Sequence, residues 1–183
     1  MLSDQDILKA IKDGQLAIDP FEKSQLRPAG LSLHLGDQIL IPKPVKLIDF
    51  RKETDIPYDE YLFADDKPFI LKPQQFVLGH TKETVSLGGE LGFLIEGRST
   101  LARLGVSVEQ SSTLVDSGMN VRTITLEIYN CGPSPVTLYA GMSIARAAVF
   151  RLTSPAQRLF DSYGRYAVQK KGAGKPILRE KSQ

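Results

Sequence analysis

Residues 30–42 read GLSLHLGDQILIP, and their periodicity sets the fold class. Leu31, Leu33 and Leu35 alternate with Ser32, His34 and Gly36, the two-residue period of a half-buried strand. Outward from this stretch the chain keeps the same character. Residues 67–87 (KPFILKPQQFVLGHTKETVSL) predict two strands parted by Lys72 and Pro73. LGFLIEG, GVSVEQSS, RTITLEIYN, PVTLYAG and SIARAAVFRL predict five more. Glycine and proline punctuate these runs about every eight to twelve residues, the pattern of an all-β sandwich or barrel with Greek-key or jelly-roll wiring. Before them, residues 3–13 predict a short helix. Ser3 and Asp6 are spaced for a capping box, Leu2 and Ile7 for a hydrophobic staple, and Gly14 for a stop. Residues 49–67 are polar and acidic and are expected to form an excursion loop.

The 183 residues suit one domain with a sizeable core, and neither a repeat nor a second domain is visible. No apolar run approaches the ~20 residues of a membrane span. The opening MLSDQDILKA is acidic and lacks the apolar core of a signal peptide, so a cytoplasmic protein is expected. A single cysteine, Cys131, excludes an internal disulfide framework. The net charge is only +2, yet residues 155–183 carry seven Lys and Arg against Asp161 and Glu180. That basic tail is either a solvated terminus or an arm that closes on a polyanion.

EGRSTLARLG, residues 96–105, stands out between two strands because it carries helix formers. Ser99 is placed to cap a helix of one or two turns, and Gly105 to end it. Free N–H groups at such a helix start, with Arg98 beside them, are the parts of an anion site; a plain surface helix has the same parts. In TITLEIYN, Thr123, Thr125, Glu127 and Tyr129 share one strand face and Ile124, Leu126 and Ile128 the other. Glu127 is either an exposed strand glutamate or an acid/base. Asp116 lies where a strand meets a turn, a position that turn chemistry alone also favours.

Two histidines and one cysteine are too few for a Cys/His zinc site, and no phosphate-binding glycine fingerprint is present. His34 falls on the polar face of its strand, where solvent exposure or a core hydrogen bond is expected.

These segments, in this order, resemble the dCTP deaminase branch of the dUTPase superfamily. LSDQDI, IDPFEKSQLRPAGLSLHLG, EGRSTLARLG, VDSG with ITLEIYN, AGMSIARAAVF and YGRYAVQKKGA carry the resemblance over nearly the whole chain. It implies a mostly β, distorted jelly-roll or β-sandwich of the dUTPase-like type, with a short N-terminal helix and one short internal helix. It implies one domain over 1–183, with about 160–183 a flexible tail closing over the active site. It also implies a homotrimer with active sites between subunits, and partners limited to a nucleotide and its own copies, with neither nucleic acid nor membrane.

The implied reaction is zinc-independent hydrolysis of dCTP to dUTP and ammonia, with Mg2+ carried by the triphosphate. Position by position, Glu127 falls on the general acid/base. Ser99 falls on the serine that helps hold the attacking water, and Arg103 on the arginine that buttresses the site. Arg98 and Thr100 fall on phosphate contacts, and Ser112 where a carbonyl orients the water. Asp116 falls on the reader of the sugar 3′-hydroxyl. Tyr163, Arg165 and Gln169 fall on the closing tail.

The sequence departs from the family pattern in three places. Ser117, Gly118 and Met119 replace Pro-Gly-aromatic. Asn120, Val121 and Arg122 fill the space before the catalytic strand, putting one extra residue between Asp116 and Glu127. Ser111 and Ser112 replace Thr-Ala. An extra residue in a strand predicts a bulge, or a slip that turns Glu127 to the other face. The alternatives are a bifunctional enzyme forming dUMP and pyrophosphate, a dUTPase-like pyrophosphatase, and a non-catalytic nucleotide-binding homologue.

Overall fold

The structure, a computed structural model, describes residues 1–52, 54–64 and 67–178. Three residues of the acidic loop (Glu53, Asp65, Asp66) and the last five of the basic tail, Arg179 and Lys181 among them, lie outside the described residues.

The chain opens with α1 (Asp4–Lys12), which has the capping box expected at Ser3 and Asp6. Gly14 follows with φ +71°, the left-handed turn that stops the helix. Strands then follow in order: β1 (Leu16–Asp19), β2 (Leu26–Arg27), β3 (Gly30–His34), β4 (Gln38–Pro42), β5 (Tyr58–Leu62), β6 (Phe69–Leu71), β7 (Phe76–Leu87) and β8 (Leu91–Gly97). After α2 (Ser99–Arg103) come β9 (Val106–Ser107), β10 (Leu114–Val115), β11 (Met119–Asn130), β12 (Val136–Leu138) and β13 (Ser143–Arg151), and the short α3 (Phe160–Tyr163).

The strands form two antiparallel sheets. One runs β5-β4-β7-β11-β9, with β1 also on β7, and the other runs β10-β8-β13-β3-β2; β6 and β12 form a separate pair. Side chains from both sheets meet in one core, with Val77, Val85, Leu126 and Ile128 from the first and Leu31, Leu33, Phe93, Ile95 and Ala147 from the second. This is the mostly β sandwich that the alternating pattern predicts. No helix among the described residues is long and apolar enough to cross a membrane.

Four local expectations need correcting. Residues 58–62 of the expected loop form β5, paired to β4 at the sheet edge. Edge strands carry charge on their open side, so Asp59 and Glu60 read as loop while Tyr61 packs edge-on to Phe63 and Phe69. Ser99 is the first helical residue and not the cap of α2. The cap position is Arg98, whose backbone continues the extended strand and whose side chain makes no capping bond. In GVSVEQSS only Val106–Ser107 forms a strand, and beyond it Glu109 makes a parallel bridge to Glu127. β3 is not half-buried, because its polar face is covered as well: Ser32 is buried, and His34 makes the core hydrogen bond that is one of its two expected fates, its Nδ1 2.5 Å from the buried Glu83 carboxylate.

Candidate active site

Strand β11 is the backbone of the site. It pairs with β7 along its length, but the register breaks between Thr123 and Thr125, where two steps of β11 match four of β7, and again between Met119 and Arg122. Three residues of β11 there span two of β7, so the extra residue is taken up as a bulge at Asn120 and Val121. Further along, Thr125 to Tyr129 pair in regular step with His80 to Phe76. Glu127 therefore keeps the face that the sequence assigns to it, opposite Leu78 and beside Glu109.

That face floors a cleft of about 530 Å3 lined mostly by apolar side chains, among them Tyr58, Phe76, Leu78, Met119 and Phe160. Glu127 is half-buried there, and burial pushes its carboxyl up from 4.5 to about 7; a backbone hydrogen bond opposes the rise and the neighbouring Glu109 charge adds to it. A carboxyl with that affinity can both take and give a proton near neutrality.

Ser112, Asp116 and Gln169 line the same cleft. Asp116 sits just after β10 and accepts a hydrogen bond from the Tyr163 hydroxyl at 3.0 Å, so two predicted site residues meet at the rim. Gln169 Nε2 donates to Thr125 Oγ1 at 3.0 Å, two residues from Glu127. Arg165 donates to the Ile177 carbonyl at 3.1 Å, and Tyr166, which was not anticipated, lines the cleft in its neighbourhood.

The predicted phosphate cradle lies apart from this cleft within one chain. Arg98 lines a second cavity of about 390 Å3 with Arg27, His34, Lys82 and Glu83, and its guanidinium donates to Ser143 Oγ. Ser99, Thr100 and Arg103 are exposed on α2, which Gly105 ends with φ +84°. Among the described residues, no cluster of three or more His, Cys, Asp or Glu is placed to hold a metal ion.

Besides Tyr166, two residues of the site are not legible in the sequence. Glu109 has no mark in the sequence beyond its place in an expected strand, and only its bridge to β11 brings it beside Glu127. In sequence Arg122 only fills the space before the strand, yet its buried guanidinium lines the cleft, pairs with Asp161 and donates to the Tyr166 carbonyl at 3.0 Å. An arginine flanked by β-formers gives no local sign of a partner 39 positions away.

A family model described as dCTP deaminase-like matches residues 1–152. A protein of Persephonella marina named dCTP deaminase, dUMP-forming is 34% identical over 182 residues, covering 99% of both chains. A protein of the same name from Halobacterium salinarum is 40% identical over 164 residues, covering 86% of this chain and 84% of its own. Among solved structures, the 2'-deoxycytidine 5'-triphosphate deaminase of Agrobacterium tumefaciens matches 82% of this chain and 48% of its own, with TM-score 0.62 at 17% identity; this supports a shared fold. The match over the greater part of the sequence, together with the likeness in fold, establishes that the chain belongs to the dCTP deaminase-like family of enzymes.

Proposed function

We propose that this enzyme hydrolyses the 4-amino group of dCTP, with Glu127 as the proton shuttle. The observation that carries the reading is a half-buried carboxyl poised at about 7 in a mostly apolar cleft of about 530 Å3. As a carboxylate, Glu127 takes a proton from water as the oxygen adds to C4, and passes it to N3 of the ring. It then moves the hydroxyl proton to the amino group, which leaves as ammonia, and the C4 oxygen becomes the uracil carbonyl. Water and dCTP are consumed, and dUTP and ammonia are formed.

Ser112 and Asp116 are assigned to orienting water and sugar. Arg98 and Thr100 are assigned to the triphosphate, Ser99 to holding the attacking water, Arg103 to buttressing the site, and Tyr163, Arg165 and Gln169 to the tail over it. Magnesium belongs to the substrate in this reading, chelated by its phosphates. Because the α2 residues stand outside the Glu127 cleft in one chain, the complete site is proposed to form between copies in a closed trimer, α2 of one subunit facing the cleft of the next.

A second reading concerns the end product. The Persephonella marina and Halobacterium salinarum relatives are both named dUMP-forming, which favours a further hydrolysis to dUMP and pyrophosphate over release of dUTP. Incubation with magnesium and dCTP, dUTP or dCMP, with the products resolved by chromatography, tests both. Ammonia with dUMP supports the bifunctional enzyme, and ammonia with dUTP the deaminase alone. Turnover of dUTP without ammonia from dCTP removes the deaminase reading.

A further inference from the structure

The segment that departs from the family pattern, 117–122, is also where the C-terminal segment is moored. Phe160 N–H donates to the Ser117 carbonyl at 2.9 Å and Asp161 N–H to the Gly118 carbonyl at 3.3 Å. Gly118 has φ +74°, and a Cβ there would come within 2.5 Å of Leu159 Cβ, so the chain can pass only over a glycine. Asn120 N–H donates to Asp161 Oδ2 at 3.1 Å.

Arg122 draws these contacts together. Its side chain is 7% exposed and pairs with Asp161 Oδ1. It also donates to the carbonyls of Asn120 at 3.1 Å and Tyr166 at 3.0 Å, and its guanidinium lies 5.1 Å from the centre of the Phe160 ring. Ionic, backbone and ring contacts thus converge on one buried cation, which has few other ways to satisfy its donors. Phe160 and Tyr166, the two residues it grips, are also walls of the Glu127 cleft. Further on, Thr123 N–H donates to the Lys170 carbonyl at 3.1 Å, and Thr125 Oγ1 accepts from Gly174 N–H at 2.8 Å.

We propose that Arg122 is a positioning residue that latches residues 160–166 onto β11, making Phe160 and Tyr166 a standing wall of the substrate cleft. The contacts are internal to the chain and need no substrate atom. The bulge at Asn120 and Val121 is what sets Arg122 inward, toward Asp161. The effect on substrate rests on the deaminase reading, whereas the latch itself does not.

The test uses full-length wild type, Arg122→Ala, Arg122→Lys and Asp161→Asn. Trypsin cleavage after Arg165, Lys170 or Lys171 is timed without nucleotide and read by mass spectrometry, beside melting curves and steady-state kinetics with dCTP. Arg122→Ala is expected to speed these cuts about tenfold or more while the remaining body stays intact. KM should rise about tenfold with kcat changed less than about threefold, and Arg122→Lys should fall between wild type and alanine. Wild-type cleavage rates in Arg122→Ala overturn the latch. Faster cleavage with unchanged KM reduces Arg122 to packing and overturns the positioning role. Should Arg122→Ala fail to fold, Asp161→Asn carries the same two readouts with the same meanings. A wild type that does not deaminate dCTP removes the deaminase reading and leaves the cleavage result to decide the latch.

Discussion

The proposed reaction concentrates its chemistry in one side chain, Glu127. Glu127→Gln keeps the shape and a hydrogen-bonding group but cannot exchange protons, so kcat is expected to fall by ~10²–10⁴. Nucleotide affinity should stay within about tenfold, because the residues assigned to phosphate lie on α2 and beyond. An unaltered kcat would remove Glu127 from the mechanism. Its titration also predicts a pH signature in stability. The folded carboxyl titrates at about 7 against 4.5 for the ordinary group, so the protonated form is the one the fold favours. The stability tied to it is fully present below 4.5 and is lost as pH rises through about 7. Glutamine does not titrate, so the Tm of Glu127→Gln should gain on wild type between about pH 5 and pH 8. A Tm difference that stays flat across that range contradicts the burial. Glu109→Gln removes a like charge beside Glu127 and should lower the pH midpoint of kcat, by less than burial raises it.

At the scale of elements, α1 and the C-terminal segment give contrasting predictions. Ser3→Ala removes a capping bond and should cost ~1 kcal/mol in urea unfolding with activity retained, because α1 packs on β1, a strand that carries no proposed site residue. Truncation after Phe160 removes Tyr166 and Gln169 from the cleft and should raise KM and lower turnover. Full kcat/KM in that variant would rule out a role for the segment. The same contrast marks what the sequence shows. α1 was legible because its signals are local: cap, apolar spacing and stop lie within about a dozen residues. β3, β7, β8 and β13 were legible because their alternation faces a core. β5 was not, since an edge strand can be mostly polar and still pair. The start of α2 was misjudged by one residue because serine beside an extended arginine fits either side of a helix boundary. Glu127 was placed on the right face from its neighbours, but its company could not be read, because Glu109, Arg122 and Asp161 meet only through β11 and the returning tail.

At the scale of the whole molecule, the separation of α2 from the Glu127 cleft is itself testable. If sites form between subunits, Glu127→Gln and Ser99→Ala proteins, each inactive, should recover activity when unfolded together and refolded as mixtures. Random assembly into trimers should give about a quarter of wild-type specific activity. Recovery near zero, or a stable monomer of 20.2 kDa in sedimentation, argues for sites complete within one chain. The bulge at Asn120 and Val121 has a consequence for how this strand can change length. Inserting or deleting a residue in a paired strand ordinarily inverts every side chain beyond it. Here both irregularities, at 119–122 and at 123–125, lie before the half that carries Glu127, and Thr125 to Tyr129 keep step with β7 beyond them. The strand thus has an expansion joint: a residue added or lost at 120–121 is expected to be absorbed before Glu127, while the same change between Thr125 and Glu127 is expected to turn it out of the cleft.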